Sequence, residues 1–245
     1  MSKPILNLVP ETLGDPEYPA GGRAVRPRDA ATLIIVRRDG TQPRVLMGQR
    51  AAGHIFMPNM FVFPGGRVDP GDDWVKPSGD LHPAVRARLT AHCSQRRARG
   101  LAMAAIRETW EETSLLLGEP HASAPRTRSP VWREFLSGGY TPRLDTLHYI
   151  GRAITPPHRN RRFDARFFMA EADLVTGRLP DKPKGSGELI KLSWFNLDQA
   201  DALELAHITR YMLAEVRRRL DSRVDFAEPG PFVYARRGKI VVDTV

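Results

Sequence analysis

The chain has little cysteine and no long apolar run. Its 245 residues include a single cysteine, Cys93, so an intramolecular disulfide is excluded. No Cys-His-acid pattern accompanies Cys93, and a thiolate nucleophile is therefore not predicted. No apolar stretch reaches the length of a membrane helix, and the first residues lack a signal-peptide pattern. We expect no membrane partner and a cytoplasmic location.

Acidic residues are outnumbered in this chain. It contains 28 Asp and Glu against 37 Lys and Arg, which gives a formal net charge of +9. A basic balance is typical of nucleic-acid-binding proteins. Here, however, the basic residues form small scattered clusters such as Arg217-Arg218-Arg219, and no recognised nucleic-acid motif accompanies them. We expect a solvated basic surface, no specific nucleic-acid partner, and a few arginines beside an anionic site.

Three carboxylates are concentrated in the segment Arg107-Glu108-Thr109-Trp110-Glu111-Glu112. Glu108, Glu111 and Glu112 stand at positions i, i+3 and i+4, which share one face of a helix. Crowded carboxylates repel one another, and a divalent cation among them would relieve that repulsion. Hard oxygen ligands of this kind suit Mg²⁺ or Mn²⁺. For this segment alone, a solvated acidic patch is the commoner interpretation.

A second informative segment lies upstream. The run Phe61-Val62-Phe63-Pro64-Gly65-Gly66 is followed by an acidic loop that ends at Asp72. This pattern predicts a strand that leads into a glycine bend. Paired glycines let backbone approach a ligand closely. An ordinary hairpin turn is the alternative for Gly-Gly by itself.

Together the two segments resemble the signature of the Nudix hydrolase superfamily, G-x5-E-x7-R-E-U-x-E-E-x-G-U, where U is aliphatic. Three residues depart from it: Asp72 replaces Glu, Thr109 replaces an aliphatic residue, and Ser114 replaces Gly. The motif's first glycine, first acid, arginine and three helical glutamates correspond in order to Gly66, Asp72, Arg107, Glu108, Glu111 and Glu112.

The spacing departs further from the family pattern. Residues 73–106 separate Asp72 from Arg107, where the pattern has only seven residues. We assign the insertion to about 73–99, and it splits the motif between its loop and its helix. A split motif can still assemble if the extra segment loops out and returns.

The insertion also makes the chain similar to one branch of the superfamily, the branch containing the peroxisomal coenzyme A diphosphatases. The similarity extends over Val45-Leu46-Met47-Gly48-Gln49-Arg50 and over the stretch 162–168 downstream. Many members of that branch have no assigned substrate, so the resemblance implies coenzyme A as one of several possible substrates.

The resemblance implies roles for the motif residues. A divalent cation, Mg²⁺ or Mn²⁺, would be held by Glu108, Glu111, Glu112 and the backbone carbonyl of Gly66. One carboxylate, of Glu112 or Glu108, would take the proton of the attacking water. Arg107 would orient the carboxylates through ion pairs. Asp72 is expected to be structural or an outer partner.

Residues outside the motif complete the expected site. A further catalytic carboxylate is expected from a distant loop, with Glu188 as the candidate and Glu171 as its rival. Arg50, Arg67 and Arg161 are the candidates for binding the phosphates of the substrate. A base of the substrate would stack on one of two further residues, Phe56 or His54.

The order of elements predicts an α/β (α+β) fold of Nudix type, a mixed β-sheet sandwiched between helices. We expect an irregular arm over 1–28 and a single domain over 29–245, with a helical insertion. The predicted strands are 31–38, 44–49, 60–64, 146–154, 162–170 and 189–195, with a terminal hairpin over 232–242. The predicted helices are 83–94, a motif helix that ends near Gly118, 131–136 and 197–220.

These observations favour a Mg²⁺-dependent hydrolase. Its substrate would be a nucleoside diphosphate linked to another moiety, such as coenzyme A, an acyl-coenzyme A, ADP-ribose or a dinucleotide. The alternative is a non-catalytic nucleotide or RNA sensor on the same fold, although such a protein would be expected to lose its carboxylates. Homodimers are common for the fold, so self-association stays open.

Overall fold

A nine-stranded mixed sheet runs through the computed structural model, which describes residues 24–53, 59–177, 179–221 and 225–245. The sheet strands are β1 (Arg28–Arg37), β2 (Arg44–Arg50), β3 (Phe61–Val62), β4 (Gly65–Arg67), β7 (His148–Ile154), β8 (Phe163–Glu171), β9 (Leu189–Asn196), β10 (Pro231–Arg236) and β11 (Lys239–Thr244). A separate small sheet pairs β5 (Gly118–Pro120) with β6 (Tyr140–Pro142). The helices are α1 (Pro83–Thr90), α2 (Gln95–Thr113), α3 (Pro130–Ser137), α4 (Leu197–Asp201) and α5 (His207–Leu220).

The strand order is β11-β10-β7-β8-β1-β2-β3, with β4 also paired to β1 and β9 to β2. β1 lies parallel to β8 and antiparallel to β2 and β4. It is therefore a central strand with neighbours on both edges. The mixed sheet between helices confirms the predicted fold class.

β1 divides the core into two layers. Leu33 and Ile35 face one side of the sheet, Ile34 and Val36 face the other, and all four are fully buried. A strand that is apolar on both faces is typical of a sheet covered by helices on both sides. The first layer includes the apolar face of α2, and the second includes the apolar face of α5.

Helix α2 is the motif helix, and it ends earlier than expected. Ser94 caps its first turn by accepting a hydrogen bond from the amide of Arg97. At the other end, Ser114 adopts a left-handed conformation with φ 58°, which terminates the helix. The prediction that the helix continues to near Gly118 is therefore wrong, and Gly118 belongs to β5.

The predicted helix over 197–220 is also wrong, because it is two helices. Glu204 lies between them, and its carbonyl accepts a hydrogen bond from the amide of Phe61 at 2.9 Å. Leu205 forms an isolated bridge with the same residue. The chain leaves the helix here because its backbone pairs with the edge strand β3.

The insertion helix α1 attaches to the C-terminal part of the chain. The partly buried guanidinium of Arg88 donates hydrogen bonds to the carbonyls of Glu228, Val245 and Tyr149. It also stacks on the Tyr149 ring. The insertion thus contributes to the core. Among the described residues, none of the helices has the length and apolar character needed to cross a bilayer.

Candidate active site

The glycine bend lies directly against the acidic helix. The amide of Gly65 donates a 2.9 Å hydrogen bond to Glu112 Oε2. A Cβ added at Gly66 would lie 2.5 Å from the carboxyl atoms of Glu108, so only glycine allows this approach. The pairing of β4 with β1 fixes the bend, opposite Ala31 and Thr32. The fold thus brings together the two segments that the insertion separates in sequence.

Arg107 holds the cluster together. Its Nε and Nη2 donate to Asp72 at 2.8 and 2.9 Å, which makes a bidentate ion pair. Its Nη1 donates to Glu108 at 2.9 Å and to Glu111 at 2.5 Å, and Nη2 also donates to the carbonyl of Arg67 at 2.8 Å. One buried guanidinium therefore orients two of the three helical carboxylates. Burial lowers the pKa of Arg107, but Asp72, Glu108 and Glu111 outweigh it and raise the pKa above its ordinary value.

Asp72 is a fully buried anion with several donors around it. Besides Arg107, it accepts hydrogen bonds from the indole Nε1 of Trp132 at 2.8 Å and from the amide of Asp69 at 2.7 Å. These contacts fit a structural role, in which Asp72 holds the Nε and Nη2 atoms of Arg107 while Nη1 contacts Glu108 and Glu111. Trp132 lies in α3, and sequence reasoning missed it because no motif marks it.

Glu112 is buried and Glu108 is partly buried, and the pKa of each carboxyl group lies above its ordinary value. Burial raises the pKa of Glu108 to about 7, although Arg107 opposes the shift. Burial likewise raises the pKa of Glu112 to about 8, opposed by the Gly65 amide and increased by the charge of Glu108. Both groups would therefore change protonation near neutral pH, the range in which a general base is effective.

Two residues outside the motif lie near Glu112. The charge of Arg50 lowers the pKa of Glu112, and the charge of Glu188 raises it. The carbonyl of Glu188 accepts a hydrogen bond from the Ala51 amide at 3.3 Å, and Ser186 donates to the carbonyl of Glu112 at the same distance. The loop that carries Glu188 thus lies over the C-terminal end of α2. Glu171 instead pairs with Arg38 at 3.0 Å.

The other substrate-binding candidates have different surroundings. Gly66 faces the helix, so the alternation of a strand directs the Arg67 side chain to the opposite face of β4. The carbonyl of Arg67 contacts the cluster, because it accepts a hydrogen bond from Arg107 at 2.8 Å. Arg161 is exposed in the connection between β7 and β8. Phe56 and His54 lie outside the described residues.

The carboxylate and carbonyl oxygens of the site are the type of ligand that a hard divalent cation prefers. Among the described residues, no three His, Cys, Asp or Glu side chains converge closely enough to hold an ion as they stand. Yet Glu112 is buried and Glu108 is partly buried. The charge of Glu108 raises the pKa of Glu112, and a cation would favour the ionised forms of both. Oxygen ligands from Glu108, Glu111, Glu112 and the Gly66 carbonyl would suit Mg²⁺ or Mn²⁺.

Gly66→Ala tests the close approach at the bend. The new methyl group would displace the flexible end of the Glu108 side chain, so we expect hydrolytic activity to fall by about 100-fold with little loss of stability. Gly53→Ala is the control, since a Cβ there meets nothing within 4 Å. Steady-state kinetics and thermal melts would check both. Unchanged activity in Gly66→Ala would contradict the proposed geometry.

Comparisons with known proteins give information on the fold. No family model matches the chain. The crystal structure of a NUDIX hydrolase from Alicyclobacillus acidocaldarius is similar, with a TM-score of 0.61 and 27% sequence identity over 78% of this chain and 90% of that chain.

Two more distant solved structures are also similar. A C. elegans Ap4A hydrolase in a binary complex has a TM-score of 0.45 and 18% identity over 79% of this chain and 98% of that one. The NUDIX domain of Shewanella oneidensis NrtR in complex with ADP ribose has a TM-score of 0.46 and 13% identity over 83% of this chain and 94% of that one. The likeness to the Alicyclobacillus protein shows that the chain has the fold of the Nudix hydrolases, and it supports an enzyme of that type.

Proposed function

We propose that the protein is a Nudix-type hydrolase that cleaves the diphosphate linkage of a nucleoside diphosphate joined to another moiety. The observation that carries the proposal is the contact of Glu108 and Glu112 with the bend Gly65-Gly66 across the insertion. The likeness to the Alicyclobacillus hydrolase supports the same reaction type.

A divalent cation is part of the proposal. When bound, Mg²⁺ or Mn²⁺ would neutralise charge on the phosphate oxygens and make water a better nucleophile. Glu108, Glu111, Glu112 and the Gly66 carbonyl would hold it. Arg107 would keep Glu108 and Glu111 in position through its shared Nη1.

Proton transfer and substrate binding would fall to residues near the helix end. We assign Glu112 as the first candidate for the general base, with Glu108 and Glu188 as alternatives. A base within reach of the attacking water would remove its proton as the new P–O bond forms, while the bridging P–O bond of the diphosphate breaks and the other phosphate leaves. Arg50, which lies close enough to influence Glu112, would bind a phosphate oxygen. Arg67, Arg161 and Phe56 are further candidates for substrate contact.

A panel of substrates tests which moiety is joined to the nucleoside diphosphate. We would incubate the protein with coenzyme A, an acyl-coenzyme A, ADP-ribose and a dinucleotide, each with and without Mg²⁺, and measure monophosphate products. Cation-dependent release from at least one substrate is expected, and coenzyme A turnover would support the branch suggested by the sequence. If none is hydrolysed while a nucleotide binds tightly, the protein is a sensor and the proposal fails.

The buried acids also predict a pH-dependent effect of cations on stability. Their folded pKa values, about 7 and about 8, lie above the ordinary 4.5. The folded protein therefore binds more protons than the unfolded chain, and without a cation its stability falls as pH rises through this window. A cation that favours the ionised carboxylates should raise the melting temperature by several degrees at about pH 8.5 and by much less at about pH 5.5.

Differential scanning calorimetry with MgCl₂ or NaCl at equal ionic strength would check this. The sodium series is the control for general screening of charges. Equal stabilisation by Mg²⁺ at both pH values would argue against a cation held by Glu108 and Glu112.

A further inference from the structure

The last strand of the sheet has one edge with which no strand in the described ranges pairs. β11 pairs with β10 along one side, from Arg236↔Lys239 to Pro231↔Thr244. It is the terminal strand of the nine-stranded sheet, and no strand in the described ranges lies beyond it. The free N–H and C=O groups of such an edge can pair with another chain.

The hairpin turn determines which backbone groups point outward. Residues 237–238 both have positive φ, 51° and 77°, which is the pattern of a tight two-residue turn. The pair that closes such a turn exchanges its backbone hydrogen bonds, and bonded pairs then alternate along the strands. Lys239 therefore bonds inward to β10, as do the alternate residues after it. The outward N–H and C=O groups are those of Ile240, Val242 and Thr244.

We propose that β11 pairs antiparallel with β11 of a second copy of this chain, centred on Val241. In this register the outward groups of Ile240 face those of Val242 of the partner subunit. Lys239 then lies opposite Asp243 of the partner subunit, and the symmetry makes the same ion pair twice. Both side chains occupy positions that do not exchange hydrogen bonds, where facing side chains are closest.

The charges select this register over its neighbours. A shift of two residues in either direction would place Lys239 opposite Val241 or Val245 of the partner subunit, which removes the ion pairs. Lys239 and Asp243 are exposed in the single chain, whereas the residues between them are half-buried and apolar. Pairing would cover that apolar centre and leave charges at its ends. Because the contact is self-complementary, the assembly closes at two copies.

Charge reversal tests this interface independently of any enzymatic activity. Sedimentation velocity should find a wild-type dimer. Lys239→Asp and Asp243→Lys should each raise the dimer dissociation constant by about tenfold or more, because like charges then face each other. The double variant Lys239→Asp/Asp243→Lys should restore the dimer. Lys76→Asp, the same charge change at an exposed lysine elsewhere, should leave it intact.

Amide hydrogen exchange gives a second readout. In the dimer, the amides of Ile240 and Val242 should exchange slowly, and in the single-reversal variants they should exchange fast. The amide of Val241, bonded to β10, should stay protected in both and is the internal control. A monomeric wild type, a dimer that survives both single reversals, or a double variant that stays monomeric would overturn the proposal.

Discussion

Glu112→Gln should lower the turnover number by about 1,000-fold while the protein stays folded. The substitution keeps the size of the side chain and an oxygen that can accept the Gly65 hydrogen bond. It removes the negative charge and the capacity to take a proton. Burial already raises the pKa of Glu112 to about 8, so a neutral side chain should make the cation-free protein more stable at alkaline pH.

The comparison should use kinetics and melts on the same preparations. Glu134→Gln is the matched control, because Glu134 is an exposed acid on α3. We expect that control to retain activity within about twofold. If Glu112→Gln retains wild-type turnover, Glu112 neither binds the cation nor acts as the base.

Arg107→Met should be the most destabilising single change at the site, at about 3 to 5 kcal/mol. The substitution leaves Asp72 fully buried without its cation, although Trp132 still donates to it. It also releases Glu108 and Glu111 from their common donor, so activity should fall together with stability. Urea denaturation would give the change in the free energy of unfolding.

Arg99→Met provides the control on the same helix. Arg99 pairs with Asp80 at 2.9 Å, and both side chains are about one-third exposed. Solvent screens such a pair, so we expect a loss of at most about 1 kcal/mol. Similar losses for Arg107→Met and Arg99→Met would mean that the buried network around Asp72 adds little to stability.

The sequence carried enough information to predict that the glycine bend and the acidic helix would meet. Gly66 and Glu108 are in contact although the insertion separates them. The alternation and helical spacing of apolar residues also predicted most strands and helices, because burial of one face is encoded locally. The bounds of the predicted strands differ from the observed ones by only a few residues, but β4, β5 and β6 were not predicted as strands.

Features set by distant contacts could not be predicted. Trp132 binds Asp72 across 60 positions of sequence, and nothing near either residue indicates that contact. The break between α4 and α5 depends on the pairing of Glu204 with Phe61. The left-handed Ser114 stops α2 where an unbroken helical pattern predicted continuation. In each case tertiary contacts or a single backbone conformation override local propensity.

Anomalous diffraction from a crystal soaked in MnCl₂ tests the central claim most directly. A manganese peak bounded by the Gly66 carbonyl and the carboxylates of Glu108 and Glu112 is the predicted result. A fully soaked crystal with no peak there, or with manganese only at other sites, would contradict it.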